Sequence, residues 1–359
     1  MRKYAAYLHS VWFTQRNLAR IFKHNTDYKD FFENLRTFDL REFVLDENRI
    51  ALIMKSYSDF DVSSIDVALS QRKIKIVTIH DDEYPESLRF LHTPPFLLYV
   101  RWTLDNSKNL LSIVGSRKNT SYSHTTLRQF IPWLLRAGFS IVSWGAYWVD
   151  SIAHNLTLDN GWYTISVIWT GIDIDYPRIN AVLYDKIIER WWAVLSVFRL
   201  WTLWERHNFP IRNEIIAWIS KWTLITEAAD KSWTLITARL ALELNRDVFV
   251  VPGDISRESS LWTNSLLRDW LAKAVITYED ILIEYDLNSR SEDAKITQLS
   301  FEDPIEQGIH ELLRENPLDA SYITDKLNSD IRTISCKISM MEVNWIVRLW
   351  NWWLYHLNQ

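Results

Sequence analysis

Phe139-Ser140-Ile141-Val142-Ser143-Trp144-Gly145-Ala146-Tyr147-Trp148-Val149-Asp150 reads as an apolar strand, then a turn, then the start of a helix. The near-continuous apolar run at its start indicates a strand buried on both faces. The preceding segment repeats the pattern: Leu110–Val114 runs into Gly115-Ser116-Arg117, ahead of a helix expected over 121–136. Further strands read at Tyr163–Ile168, Ala193–Val197, Thr223–Thr226, Asp247–Val251 and Ala274–Thr277. The helical runs between them are 148–158, 181–190, 210–219 and 233–245. This alternation, from Asn109 to about Tyr285, predicts an α/β fold with a doubly wound, mostly parallel sheet. Ligands of such sheets bind beyond the carboxyl ends of the strands.

The turns after these strands carry an unusual residue. The chain of 359 residues has 20 Trp and only 7 Gly. Pooled, the two types reach the ordinary glycine share of about 7%. Trp144 and Trp148 flank a strand-to-helix turn, and Trp169 precedes Thr170-Gly171. Trp350-Asn351-Trp352-Trp353 separates two short apolar runs, where Asn-Gly makes a hairpin. Glycine alone reaches positive φ without strain and lets a phosphate approach the backbone. The expectation is that most of these Trp positions are glycine, as in a genome that reads UGA as glycine. The rival reading is a surface rich in indoles that stack on bases.

Outside the α/β segment the pattern changes. Residues 1–72 read as a small helical domain of the helix-hairpin-helix kind. Leu8, Val11, Leu18, Ile21 and Phe22 recur at helical spacing in a first helix, and Phe31, Phe32 and Leu35 belong to a second. Shorter helices are expected near 47–56 and 61–70. Residues 73–102 hold a strand at Ile74–Ile79, a connector punctuated by Pro85, Pro94 and Pro95, and a second strand at Phe96–Val100. They open a domain running to 285. Residues 286–304 are polar and read as a linker. Residues 305–359 suggest a winged helix, with helices near 305–314, 319–327 and 330–343 and a closing hairpin. Ile331, Ile334, Ile338 and Met341 line one face of the third helix.

Bulk properties limit the function classes. One cysteine, Cys336, excludes a disulfide framework and a cysteine-based metal site. The start Met1-Arg2-Lys3-Tyr4 lacks the features of a signal peptide, and no stretch of 18 apolar residues occurs. A cytoplasmic protein is expected. A net charge of −5 argues against bulk electrostatic binding of nucleic acid but leaves room for a local basic cleft. The tail over 305–359 has five Lys/Arg against seven Asp/Glu, a poor balance for binding phosphates.

The post-strand loops carry the chemistry. Gly115-Ser116-Arg117 combines turn amides, a helix N-terminus and a guanidinium fork, which suits an anion. An ordinary turn with a surface arginine is the alternative. The 143–150 loop lacks the spacing of a P-loop or of a dinucleotide fingerprint. Asp150 is expected to cap or order that loop, and His154 to be packed or hydrogen-bonded. Thr170-Gly171-Ile172-Asp173, Arg212-Asn213, Thr226-Glu227, Ser232-Trp233-Thr234 and Val251-Pro252-Gly253 follow later strands and converge on one rim. Asp173 and Glu227 invite a paired-carboxylate reading, but no nucleophile–base pair or metal-ligand spacing accompanies them.

Taken together, Ile113–Arg117, Ser143–Asp150, Trp169–Pro177, Asn208–Ala217, Glu227–Ala241 and Val248–Gly253 resemble the DNA-processing protein A family. The resemblance covers roughly residues 75–285. Trp102, Trp144, Trp148, Trp169, Trp218, Trp233, Trp262 and Trp270 fall where that family usually has glycine. The resemblance implies an extended Rossmann-like fold that binds single-stranded DNA, protects incoming DNA and helps load the RecA recombinase in natural transformation. It implies a homodimer, no cofactor, no metal and no catalytic residue. The DNA-binding positions it carries over are Gly115, Ser116, Arg117, Gly145, Thr170, Gly171, Arg212 and Asn213, joined by Trp144, Trp148, Ser232 and Thr234. A basic residue that members use soon after the Tyr-Pro pair is replaced here by Val182 and Leu183, leaving Arg178 or Lys186 as substitutes. Two rivals stand beside it: a phosphoribohydrolase-like nucleotide hydrolase using Glu227 or Asp150, and a sensor of a nucleotide-derived ligand.

Overall fold

The computed structural model describes residues 2–24, 26–116, 120–145, 149–228, 234–284, 303–315, 317–343, 347–350 and 354–357. Two compact units divide the chain, Met1–Asp293 and Ala294–Gln359.

The first unit opens with five helices: α1 Arg2–Ser10, α2 Gln15–Lys23, α3 Tyr28–Glu33, α4 Glu47–Ser58 and α5 Val62–Gln71. The single helix expected over residues 8–22 is two, broken at Trp12, whose φ is 76°. Trp12 N donates to His9 O and Phe13 N to Leu8 O, which closes α1. Thr14 then opens α2 with a reciprocal cap: its Oγ1 accepts from Asn17 N, and Asn17 Oδ1 accepts from Thr14 N. Leu35 is likewise outside the second expected helix, in a 3₁₀ turn at Leu35–Thr37.

A nine-stranded sheet follows. Its strands are β1 Ile74–Thr78, β2 Leu97–Arg101, β3 Asn109–Val114, β4 Phe139–Trp144, β5 Thr164–Val167, β6 Ala193–Ser196, β7 Trp222–Ile225, β8 Asp247–Val250 and β9 Lys273–Ala274. Their order is β1-β2-β6-β5-β4-β3-β7-β8-β9. All pairings from β6 to β9 are parallel, while β1 and β2 add antiparallel strands beside β6. The helices are α6 Glu86–Arg89, α7 Ser121–Arg136, α8 Val149–Asp159, α9 Ala181–Glu189, α10 Asn208–Ile219, α11 Thr234–Glu243, α12 Glu258–Arg268 and α13 Glu279–Glu284.

Side chains alternate along the strands, so each face builds its own core. Leu111 and Ile113 of β3 pack with Leu127 and Phe130 of α7 and Ala153 of α8. Leu110 and Val114 face the other way, into a core shared with Phe209 and Ile216 of α10 and Ala238 of α11. The helical head shares a third cluster with the sheet edge, joining Leu8, Leu18 and Phe31 to Leu97, Tyr99 and Val194. The last strand is shorter than the expected Ala274–Thr277. The amides of Ile276 and Thr277 donate to Asp280 Oδ2, at 2.7 and 2.9 Å, instead of to a ladder.

The second unit holds α14 Pro304–Glu315, β10 Leu318–Asp319, α15 Ala320–Leu327, α16 Ile331–Val343, β11 Val347–Trp350 and β12 Leu354–Leu357. The strands form an antiparallel sheet in the order β10-β12-β11. Ile309, Leu313, Ile323, Ile334, Ile338 and Met341 fill its core. Ile331 does not join them: as the first residue of α16 it is 46% exposed. The expected linker falls almost wholly outside the described residues, as does the Asn351–Trp353 turn.

Candidate nucleic-acid interface

Strand β3 lies at the centre of the parallel sheet, with β4 on one side and β7 on the other. The chain reverses its direction of build here, and the crevice at such a switch point is where doubly wound sheets hold ligands. Gly115 and Ser116 leave β3, and Glu227 follows β7. Ser116 N donates to Glu227 O at 2.8 Å. The Glu227 carboxylate is buried and accepts from Thr120 N (2.9 Å), Thr120 Oγ1 (3.0 Å), Ser259 Oγ (2.9 Å) and Ser123 Oγ. Thr120 in turn caps α7, accepting from Tyr122 N at 3.2 Å. One carboxylate therefore fixes the ends of three loops, those after β3, β7 and β8. At Gly115 a Cβ would lie 2.6 Å from Val149 Cγ2, so only glycine lets α8 approach the first turn this closely.

The paired-carboxylate reading does not survive. Asp173 and Glu227 follow β5 and β7, which are three strand spacings apart, roughly 14 Å. Each is engaged by its own loops. Asp173 accepts from Trp201 N at 3.0 and 3.1 Å, and its burial raises its pKa. Among the described residues no group of three His, Cys, Asp or Glu is placed to hold a metal ion.

Asp150 and His154 take the structural roles expected of them. Asp150 Oδ1 lies 2.8 Å from Ser143 Oγ beneath the loop after β4. His154 sits 2.8 Å from Thr164 Oγ1 and 3.1 Å from Trp144 O. Burial pulls its pKa down to about 4, so the ring is neutral at pH 7.

The neighbouring loops are knitted together. Gly145 O accepts from Tyr184 Oη (2.7 Å) and Asn180 Nδ2 (3.1 Å), which tie the loop after β4 to the segment after β5. Gly171 N donates to Thr202 O at 2.8 Å, and Asn208 Nδ2 to Trp169 O at 3.2 Å, tying the loop after β5 to the segment after β6. Thr170 is buried, with its hydroxyl 3.2 Å from Ile174 O. Arg178 is exposed on a 3₁₀ turn, Arg178–Asn180.

Arg212 is placed differently from the rim contact that the sequence suggested. It is fully buried one turn into α10, beside the equally buried Asn213. Its guanidinium carbon lies 4.2 Å from the Trp144 ring centroid, 4.4 Å from Trp169 and 5.5 Å from Phe209. The two indoles close over the cation. Arg117, Trp148 and Ser232 lie outside the described residues, and so does the side chain of Thr234, the first residue of α11. The sequence reading missed Thr120, Ser123 and Ser259 as partners of Glu227. Their only signal was three small hydroxyl residues near helix starts, which many turns share.

Comparison with known proteins agrees with this architecture. The family model for DNA recombination-mediator protein A matches residues 75–286. The chain is 37% identical over 188 residues to protein Smf of Synechocystis, covering 51% of this chain and 47% of that protein. It thus spans about half the length of that relative. Against DNA processing protein DprA of Streptococcus pneumoniae it is 33% identical over 237 residues, covering 66% of this chain and 82% of the relative. The solved structure of the S. pneumoniae protein superposes with a TM-score of 0.66 at 30% identity, covering 79% of this chain and 98% of that one. DNA processing protein A from Helicobacter pylori, described for its single-stranded DNA binding mode, gives 0.52 at 26% identity, covering 59% and 95%. With its switch-point crevice and the family match across the whole nine-stranded body, this chain belongs to the DNA recombination-mediator protein A family.

Proposed function

We propose that this protein binds single-stranded DNA along the carboxyl rim of its sheet without catalysing a reaction on it. As a recombination mediator it would shield incoming DNA and deliver it to RecA, acting as a cytoplasmic homodimer. The observation that carries this reading is the switch-point crevice. Its buried carboxylates, Glu227 and Asp150, are spent on the protein's own loops. Such a rim suits a polyanion held by amides and a few cations, with Arg117 and Arg178 as the side chains for phosphate. A hydrolase would need an acid or base aimed outward, and Glu227 is not.

The division of labour belongs to the same proposal. The helical head (1–72) and the body (73–285) form the DNA-binding part. The linker (286–304) leads to a tail (305–359) whose three helices and small sheet support a winged-helix reading. Its acidic balance suits protein docking better than duplex binding.

The test is fluorescence anisotropy with a labelled poly-dT strand, the matching duplex and nucleoside monophosphates. Tight, salt-sensitive binding of the single strand with no monophosphate turnover is expected. Turnover, or binding of monophosphates in preference to the strand, would replace this reading with an enzyme or a ligand sensor.

A further inference from the structure

Eight described residues other than glycine have positive φ, and five of them are tryptophan: Trp12 (76°), Trp102 (79°), Trp191 (66°), Trp201 (61°) and Trp270 (56°). Left-handed backbone crowds a Cβ against the neighbouring carbonyl, and only glycine, with Asn and Asp some way behind, adopts it readily. An indole offers no local hydrogen bond to compensate.

The helix ends make the comparison internal. Five helices of the sheet domain close with a left-handed residue just before the next strand. The occupants, in chain order, are Gly138 (φ 91°), Gly161 (72°), Trp191, Asn245 (52°) and Trp270. The bonding is the same. Gly161 N donates to Leu158 O and Trp162 N to Thr157 O. Trp191 N donates to Ile188 O and Trp192 N to Ile187 O. Trp270 N donates to Leu267 O and Leu271 N to Leu266 O. This is the helix-ending motif in which glycine is the usual residue. Both indoles stand largely in solvent: Trp191 is 68% exposed, its ring stacked on Trp102, and Trp270 is 92% exposed. A base-stacking role does not account for a preference for left-handed backbone.

We propose that the protein, as its source makes it, carries glycine at positions 12, 102, 191, 201 and 270. The same exchange at 144 and 169 uncovers Arg212 as a phosphate subsite. The second part rests on the single-stranded DNA reading; the first does not. Trp144 ends β4 and Trp169 follows β5, at the carboxyl edge of the sheet, and their ring centroids lie 4.2 and 4.4 Å from the Arg212 guanidinium carbon. Among the described residues the buried Trp144 indole N–H has no hydrogen-bond partner, a poor fit for a ring that belongs there. Glycine at both positions would remove these two rings from the guanidinium, whose paired N–H donors suit the bidentate recognition of a phosphodiester.

Peptide mass spectrometry of the protein from its native source tests the first part directly. Glycine masses at the five positions are expected, and tryptophan at all five overturns the proposal. Recombinant chains give an independent readout. The five Trp→Gly exchanges should raise the thermal midpoint by about 2 °C or more each. The five Trp→Ala exchanges remove the same indoles but keep the Cβ, so they should raise it less; equal gains would mean that φ is not the cause. For the subsite, poly-dT affinity is compared between the chain with W144G and W169G and the chain as written. At least a tenfold gain, lost again on R212A, is expected. A gain that R212A leaves untouched would overturn the subsite. Absence of strand binding in every form would overturn the DNA reading and leave the mass result standing.

Discussion

The two rims of the sheet use glycine for opposite reasons. At the carboxyl rim the issue is space: a Cβ on Gly171 would lie 2.6 Å from Asp173 Oδ1 and 2.7 Å from Arg199 O. At the amino rim the issue is φ. Gly138 has a φ of 91° and nothing within 4 Å of the place a Cβ would take. The carboxyl rim is therefore a set of loops pressed together and bonded across, while the amino rim is a set of open helix ends. This difference explains why tryptophan is sterically tolerated at the amino rim, as Trp191 and Trp270, at the expense of backbone strain. It also explains why the loops bonded across one another among the described residues are those of the carboxyl rim.

The largest effect should come from the residue that fastens that rim. Glu227→Ala leaves Thr120, Ser123 and Ser259 without their acceptor and should destabilise the fold by roughly 3–5 kcal/mol in urea unfolding. A loss below about 1 kcal/mol would mean that the three loops hold themselves.

Next comes pH. His154 lies under the carboxyl end of β4, and its pKa is lowered from 6.5 to about 4. Below pH 6.5 the unfolded chain takes up a proton that the folded chain refuses. Stability should therefore fall as pH drops from 6.5 towards 4, by at most roughly 3 kcal/mol from this group. His9 has the same sign, lowered by burial to about 3, and would continue the fall. His154→Gln should flatten the first part of the curve; an unchanged pH dependence would show that the ring is solvated.

The glycine comparison itself is the finest test. Gly171→Ala should cost about 2–3 kcal/mol because backbone has to move. Gly138→Ala should cost about 1 kcal/mol, the strain of the left-handed conformation alone. At Gly138 asparagine should recover part of the loss, and at Gly171 it should not. Equal costs at both positions would erase the distinction between the rims.

Much of the architecture was legible before the structure because it is local. Apolar runs of strand length, separated by helical runs, placed strands β3 to β8 to within a few residues. The exceptions are places where a distant or unexpected partner decides. Strand β9 stops early because Asp280 takes its amides. The break between α1 and α2 was invisible because Trp12 is no helix-stop signal, whereas glycine there is. The site was legible only as a set of loops. Glu227 meets partners 107, 104 and 32 residues away along the chain, which no spacing rule brings together. Arg212 looked like a rim cation because the expected helix began at 210; α10 begins at Asn208 and places it one turn in. Two of the rings beside it, Trp144 and Trp169, come from the ends of β4 and β5, far from it in sequence.

The central claim is that single-stranded DNA lies on the carboxyl rim with its phosphates on cations placed there. The most direct measurement is the salt dependence of poly-dT binding for the parent chain, Arg117→Ala, Arg178→Ala and an amino-rim control, Arg190→Ala. The account predicts weaker binding for both rim variants. Each should reduce the salt slope by about 0.7, one neutralised phosphate on a single strand, with no dependence on base sequence. Arg190→Ala should bind as the parent does. Unchanged slopes for Arg117→Ala and Arg178→Ala in folded protein, or a slope lost at Arg190 instead, would contradict it.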